Sequence, residues 1–144
     1  MSINVKDYGA KGDTTTDDTK AFQDALDEAG KTGDSVFVPV GTYCIKGTLN
    51  VPAYVVIEGD WKAPPYSFNK PENKGSILLA YKGMSDINGP PFITLAGHSA
   101  GLKGLTIYYP DQGTGKGRVI AEGGIMEYPV TIRGGFGLKG CKFG

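Results

Sequence analysis

Apolar residues recur at Ala21, Phe22, Ala25, Leu26 and Ala29. That is the spacing of one helical face. Lys20, Gln23, Asp24, Asp27 and Glu28 fill the opposite face, so the pattern predicts one amphipathic helix over residues 17–29. Thr16 or Asp17 is the expected N-cap, because a short oxygen-bearing side chain accepts bonds from the free N–H groups of a first turn. Asp17 and Asp18 also suit the positive helix end, and Gly30 or Gly33 is the expected stop. No helical pattern returns after that. Before the helix, INVKD at 3–7 reads as a short strand, and Gly9 and Gly12 punctuate YGAKGD as a turn. After it, VVIEG at 55–59, ITLAG at 93–97 and VTIRG at 130–134 share one alternating pattern, at spacings of 38 and 37 residues. LKGLTI at 102–107 and LKGCKF at 138–143 form a second pair, 36 apart. Self-similarity of this period marks a solenoid. Alternation then turns Val55, Ile57, Ile93, Leu95, Val130 and Ile132 inward as stacked columns. Leu105 is expected over Cys141, and Ile107 over Phe143. Lys103 and Lys139 face out, and Lys-Gly marks a corner between two sheets. The lone helix is expected to cover the first winding and hide its strand edges.

The opening segment adds a resemblance. NVKDYGAKGD, then TDDT, AFQDAL and VFVPVGTY, is similar to the N-terminal segment of the pectate-lyase-like superfamily. The match is strongest over residues 3–59 and looser to the end. Thr14 stands where members often have Gly, and Val40 where a second Pro is common. The resemblance implies an all-β fold: a single-stranded right-handed parallel β-helix with an N-terminal capping α-helix. Residues 1–34 are then the strand and capping helix, and 35–144 the first coils. It also implies carbohydrate chemistry, since the superfamily holds polysaccharide lyases, glycoside hydrolases, alginate epimerases and phage tailspikes. GLTIYYPDQ followed by EYPVTIRGG resembles a pattern in glycosidase-like members, with Asp111 where those have Glu.

Composition narrows the partners. Lys plus Arg equals Asp plus Glu at 15 each. A net charge of zero argues against a broad grip on nucleic acid or an anionic membrane. No apolar run is long enough to span a bilayer. Gly is 23 of 144 residues without a three-residue period, which fits many turns and excludes collagen. Cys44 and Cys141 are 97 positions apart, and one His accompanies them, so no zinc constellation exists. Buried free thiols are the expected state. MSINVKDYG lacks the apolar stretch of a signal peptide. The superfamily resemblance nonetheless places the protein outside the cell, secreted or in a phage virion.

Two long insertions, 60–76 and 109–129, carry the candidate chemistry. Aromatic faces beside Asn, Asp and Lys suit the C–H faces and hydroxyl edges of sugars. Trp61, Tyr66, Tyr109, Asp111 and Glu127 are the candidate substrate contacts. Each also has a plain structural reading, aromatics as pins for the loops and acids as solvated charges. Glycoside hydrolysis needs two carboxyl groups. Asp60, Asp111, Glu122 and Glu127 are available, but no spacing pairs them, so the catalytic residues stay unassigned. No cofactor is expected for a hydrolase, and Ca²⁺ only for a lyase. GTGKGR at 113–118 fails the phosphate-loop pattern, since Pro110 replaces its first Gly and no Ser or Thr follows Lys116. His98 reads as a turn residue.

The leading expectation is the N-terminal part of a polysaccharide-degrading enzyme, hydrolase ahead of lyase, with polysaccharide as partner. The catalytic groups are then expected mostly in later coils. Two alternatives stand beside it: a non-catalytic glycan-binding β-helix of a tailspike or adhesin, and a truncated self-assembling fragment. The chain ends one strand into a coil, so association through that open end, or continuation into further coils, is expected.

Overall fold

A computed structural model describes residues 2–60, 75–82, 91–108, 110, 130–134 and 141–143. Its strands are β1 (Ser2–Asn4), β2 (Asp13–Asp17), β3 (Ser35–Val38), β4 (Gly41–Ile45), β5 (Leu49–Val51), β6 (Val56–Gly59), β7 (Ser76–Ala80), β8 (Ile93–Leu95), β9 (Gly101–Lys103), β10 (Thr106–Tyr108), β11 (Val130–Gly134) and β12 (Cys141–Phe143). The helix α1 (Thr19–Thr32) lies between β2 and β3. The strands form three sheets in the orders β1-β3-β6-β9, β2-β4-β7-β10 and β5-β8-β11-β12. The chain therefore visits the first, second and third sheets in turn and then returns to the first. Every pair is parallel except β11–β12.

The core is the space between the sheets. Val36 and Ile57 come from the first sheet, Tyr43, Ile45, Leu78 and Ala80 from the second, and Leu49, Val51, Ile93 and Leu95 from the third. Leu102, Leu105 and Ile107 pack against them. The registers run Val36 to Ile57 to Leu102, Thr42 to Ile77 to Thr106, and Leu49 to Ile93 to Ile132.

Those registers correct part of the sequence reading. VVIEG lies in the first sheet and ITLAG in the third, so the two do not stack. ITLAG and VTIRG do share a sheet, but Ile132 rather than Val130 stands beside Ile93. Alternation is preserved under a two-residue shift, which is why the period alone misplaced it. Cys141 pairs with Ile132 on an antiparallel strand, not with Leu105 on a parallel one. The Lys-Gly corner holds: Lys103 ends β9, and Gly104, at φ 68°, turns the chain into the second sheet. A Cβ at Gly104 would lie 2.5 Å from the Gly59 carbonyl, so two glycines stack at this corner.

The front end also departs from expectation. Only Ser2–Asn4 is strand, and Val5–Tyr8 is a 3₁₀ turn, because the Asn4 carboxamide accepts the Lys6 N–H at 2.9 Å. The N-cap of α1 is Asp18, and its carboxylate does not cap the helix. Asp18 is 1% exposed and accepts the N–H groups of Lys11 at 3.0 Å and Gly12 at 3.1 Å. YGAKGD thus forms a nest for an anion, and the anion is the chain's own. Gly12 is forced twice, by φ 63° and by the Tyr43 ring 3.0 Å from where a Cβ would sit. Tyr43 packs edge-on to Phe22 at 5.3 Å and donates its hydroxyl to the Pro39 carbonyl at 2.8 Å. These contacts explain why YGAKGD, the helix and VPVGTY occur together. Gly33, at φ 81°, ends the helix, while Gly30 stays inside it against Pro52.

The buried face of α1 is Ala21, Phe22, Ala25, Leu26 and Ala29. Burying Phe22 and Leu26 contributes about 1.5–3 kcal/mol each. The polar face is used as well. The Gln23 carboxamide donates to the Asn50 carbonyl at 3.0 Å and accepts the Asn50 N–H at 2.9 Å, as a neighbouring strand would. Thr19 Oγ1 accepts the Gly47 N–H, and Asp17 Oδ1 the Lys46 N–H. The helix occupies the place in the first winding where a strand of the third sheet would lie, and three side chains satisfy the edge it leaves.

Two outcomes follow. Gln23→Ala strips both main-chain groups of Asn50 of protein partners, and denaturant unfolding is expected to read about 1–2 kcal/mol lost. Thr14 lies at φ 78°, a left-handed conformation that a β-branched residue disfavours. Thr14→Gly is expected to raise stability by about 1 kcal/mol in the same assay.

Candidate functional site

A parallel sheet has an inner and an outer face, and only outer residues can meet a ligand. On the second sheet part of the outer face is covered. Cys44, Ile77 and Leu79 lie outside the central core cluster, yet all three are buried. Burial pushes the Cys44 thiol up, against the opposing charge of Lys46. Cys44 is a free thiol, as expected.

The third sheet differs. Asn50, exposed, stands between inward Leu49 and Val51, and Thr94, half-buried, between Ile93 and Leu95. Asn50 is in register with Thr94, and Thr94 with Arg133. A row of hydrogen-bonding residue types therefore crosses three windings, about 4.8 Å apart. Its rim is the corner where the second sheet hands over to the third. There Lys46 Nζ lies 5.8 Å from the centre of the Tyr81 ring. Asp17 sits beside them, bonded to the Lys46 N–H at 3.1 Å and the Thr19 hydroxyl at 2.6 Å. The connections at this corner lengthen with each winding, from 46–48 to 81–92 to 109–129.

The five candidate contacts, Trp61, Tyr66, Tyr109, Asp111 and Glu127, lie outside the described residues. So do Glu122, Arg118 and GTGKGR. Their anchor points are described. The 109–129 insertion leaves after Tyr108 in the second sheet and returns at Val130 in the third, on the rim just described. The 61–74 insertion leaves and returns elsewhere, between the first and second sheets. Its base is pinned: Ser76 Oγ accepts the Asp60 N–H at 2.8 Å and donates to the Val38 carbonyl at 2.7 Å. The topology thus anchors Trp61 and Tyr66 at a different corner from Tyr109, Asp111 and Glu127. Asp60 is exposed at that base, and His98 is in a turn.

Asn50 and Thr94 were missed as site residues by sequence reasoning. The signal was present, a polar residue centred in each apolar triplet, but it needs the register to align the triplets. Along this row the Asn50 and Thr94 side chains carry hydrogen-bonding groups and no carboxylate. No group of three or more His, Cys, Asp or Glu among the described residues could hold a metal ion. No described helix is long and apolar enough to cross a membrane.

Comparison with known proteins adds the following. The profile of the rhamnogalacturonase A/epimerase, pectate lyase-like family matches residues 2–118. A probable glucan endo-1,3-beta-glucosidase of Arthroderma benhamiae is 31% identical over 130 residues, covering 87% of this chain and 13% of that protein. The crystal structure of PfbA, a surface adhesin of Streptococcus pneumoniae, is similar at TM-score 0.56 and 27% identity, over 74% of this chain and 24% of that one. The A-module of the Azotobacter vinelandii mannuronan C-5 epimerase AlgE4 is similar at TM-score 0.55 and 25% identity, over 78% of this chain and 29% of that one. The chain spans a small fraction of each of these relatives.

Two carboxylates of β2, Asp13 and Asp17, set a pH limit on stability. Burial opposes ionisation of Asp17, but the Thr19 hydroxyl, the Lys46 and Thr19 N–H groups and the Lys46 charge together hold its pKa down. The Thr16 N–H and hydroxyl hold Asp13 down. Both begin from 3.8. A lowered folded pKa gives stability that is complete above the unfolded value and is lost as pH falls through the folded one. Denaturation midpoints are expected to hold down to about pH 4 and then drop, and Asp17→Asn is expected to flatten that drop.

Proposed function

Since the chain belongs to the rhamnogalacturonase A/epimerase, pectate lyase-like family, we propose that it forms part of a carbohydrate-active β-helix that binds and cleaves polysaccharide outside the cell. The observation that carries this reading is the third sheet's polar row beneath connections that lengthen winding by winding. Such a face offers a long ligand a hydrogen-bonding floor.

In this reading the winding is right-handed, as strand-crossover-strand connections between parallel strands almost always are. Residues 1–34 form the strand and capping helix, and 35–144 the coils. In this proposal Tyr109, Asp111 and Glu127 contact sugar from the 109–129 insertion, and Trp61 and Tyr66 from the 61–74 insertion. Hydrolysis ranks ahead of elimination, supported by the match to a probable glucan endo-1,3-beta-glucosidase. A hydrolase needs two carboxyl groups flanking the bond, and Asp111, Glu122 and Glu127 are the acids of the 109–129 insertion. The second reading is glycan binding without turnover, favoured by the likeness to the PfbA adhesin.

A polysaccharide panel separates them. Hydrolysis releases reducing ends from a neutral glucan. Elimination releases unsaturated uronate that absorbs in the ultraviolet. A binder retains glycan and releases neither. Reducing ends are the expected outcome, and retention without release overturns the enzymatic reading.

A further inference from the structure

One corner of the molecule carries a side chain that its backbone disfavours. Val36, Ile57 and Leu102 are in register across the first sheet. Three residues before each lies a left-handed position: Gly33 at φ 81°, Tyr54 at φ 65° and Ser99 at φ 60°. The first winding uses glycine there, the residue suited to that conformation. The second uses tyrosine, for which positive φ is an outlier.

The turn does not need the ring. Its closure is the Val55 N–H donating to the Pro52 carbonyl at 3.3 Å, and the next winding repeats it from Ala100 to Gly97. The two turns are stitched by the Tyr54 N–H to the His98 carbonyl at 2.8 Å and the Gly101 N–H to the Val55 carbonyl at 3.1 Å. All of these are main-chain bonds. Val55 supplies the anchor in the core at 0% exposure, whereas Tyr54 is 66% exposed, the most of any large hydrophobic residue described. A disfavoured backbone that presents a bulky ring to solvent is an outlier from which a function is fairly inferred.

The surroundings define the ligand. His98 and Ser99, both exposed, stand one winding along and offer an imidazole and a hydroxyl. Residues 52–57 and 96–102 contain no Asp, Glu, Lys or Arg. The nearest charges of the first winding are engaged, Lys31 with Glu28 at 3.6 Å and Asp34 with the Thr32 hydroxyl at 2.9 Å. An electron-rich ring face attracts the polarised C–H groups of a pyranose, and the flanking donors suit its hydroxyls. Among the described residues the cations nearest in sequence, Lys31 and Lys103, are paired with Glu28 and Glu58, so little offsets the desolvation of a uronate or sulfate. Because β5 and β8 end just before these two turns, a chain lying on the third sheet's row runs onto this corner.

We propose that Tyr54, His98 and Ser99 form a subsite for a neutral sugar ring, Tyr54 being its stacking platform. This assignment rests on the carbohydrate reading above and makes it specific to uncharged glycans at this corner.

Calorimetric titration tests it, with a linear β-1,3-glucan hexasaccharide as the neutral probe and an oligomannuronate of equal length as the anionic one. The wild-type chain is expected to bind the neutral probe. Tyr54→Gly is expected to weaken it at least about tenfold, while Tm holds or rises because glycine relieves the left-handed position. Tyr54→Phe keeps the stacking face and is expected to retain binding. Opposite signs of affinity and stability in Tyr54→Gly are what a purely structural tyrosine would not produce. Equal neutral affinity in wild type and Tyr54→Gly overturns the subsite. Binding of only the anionic probe, indifferent to Tyr54, overturns the subsite and leaves the carbohydrate reading standing. Binding of neither probe overturns both.

Discussion

Stacked parallel windings succeed only if each passes its main-chain hydrogen bonds to a neighbour. An unsatisfied strand edge is both energetically unfavourable and open to another chain. Here the edge of β5 meets a helix whose own main-chain bonds are already made. The chain resolves the mismatch with side chains: Gln23 takes both groups of Asn50, Thr19 takes Gly47, and Asp17 takes Lys46. A carboxamide can do this because it carries one donor and one acceptor, as a peptide unit does. The rest of the molecule depends on that junction, since it fixes where the third sheet begins.

A second constraint sets the angle of approach. Asp18 draws the Lys11 and Gly12 amides onto the start of α1, and Tyr43 fills the space beside Gly12. A buried carboxylate needs such donors, because desolvation otherwise disfavours its charge. The nest, the helix and the Tyr43 strand therefore behave as one unit. That unit is what the opening motif encodes, and its role is architectural. The surfaces proposed to bind ligand lie further along, on the third sheet and at the corner beyond it.

These two regions divide the surface by chemistry. The rim between the second and third sheets is charged, with Asp17 and Lys46 beside Tyr81. The opposite corner of the third sheet, at Tyr54, is uncharged and aromatic. A ligand spanning both would meet ionic groups at one side and a hydrophobic face at the other, which gives the face a polarity that a flat row of Asn and Thr lacks.

The sequence by itself determined the helix, because five apolar residues at helical spacing admit no other regular structure, and it determined that the remainder alternates in strands. It determined which residues turn inward at 55–57 and 93–95, since Val55, Ile57, Ile93 and Leu95 are all buried. It marked Thr14 as unusual, though only the left-handed backbone there gave the reason. Tertiary structure alone decided which strands share a sheet. A period near 37 residues does not distinguish one sheet from the next when windings differ in length, so VVIEG and ITLAG matched in pattern while lying on different sheets. It also decided the row Asn50, Thr94 and Arg133, the separation of the two insertions onto different corners, and the exposure of Tyr54. Each of these depends on register between distant segments, and register is set by packing across windings rather than by any local run of residues.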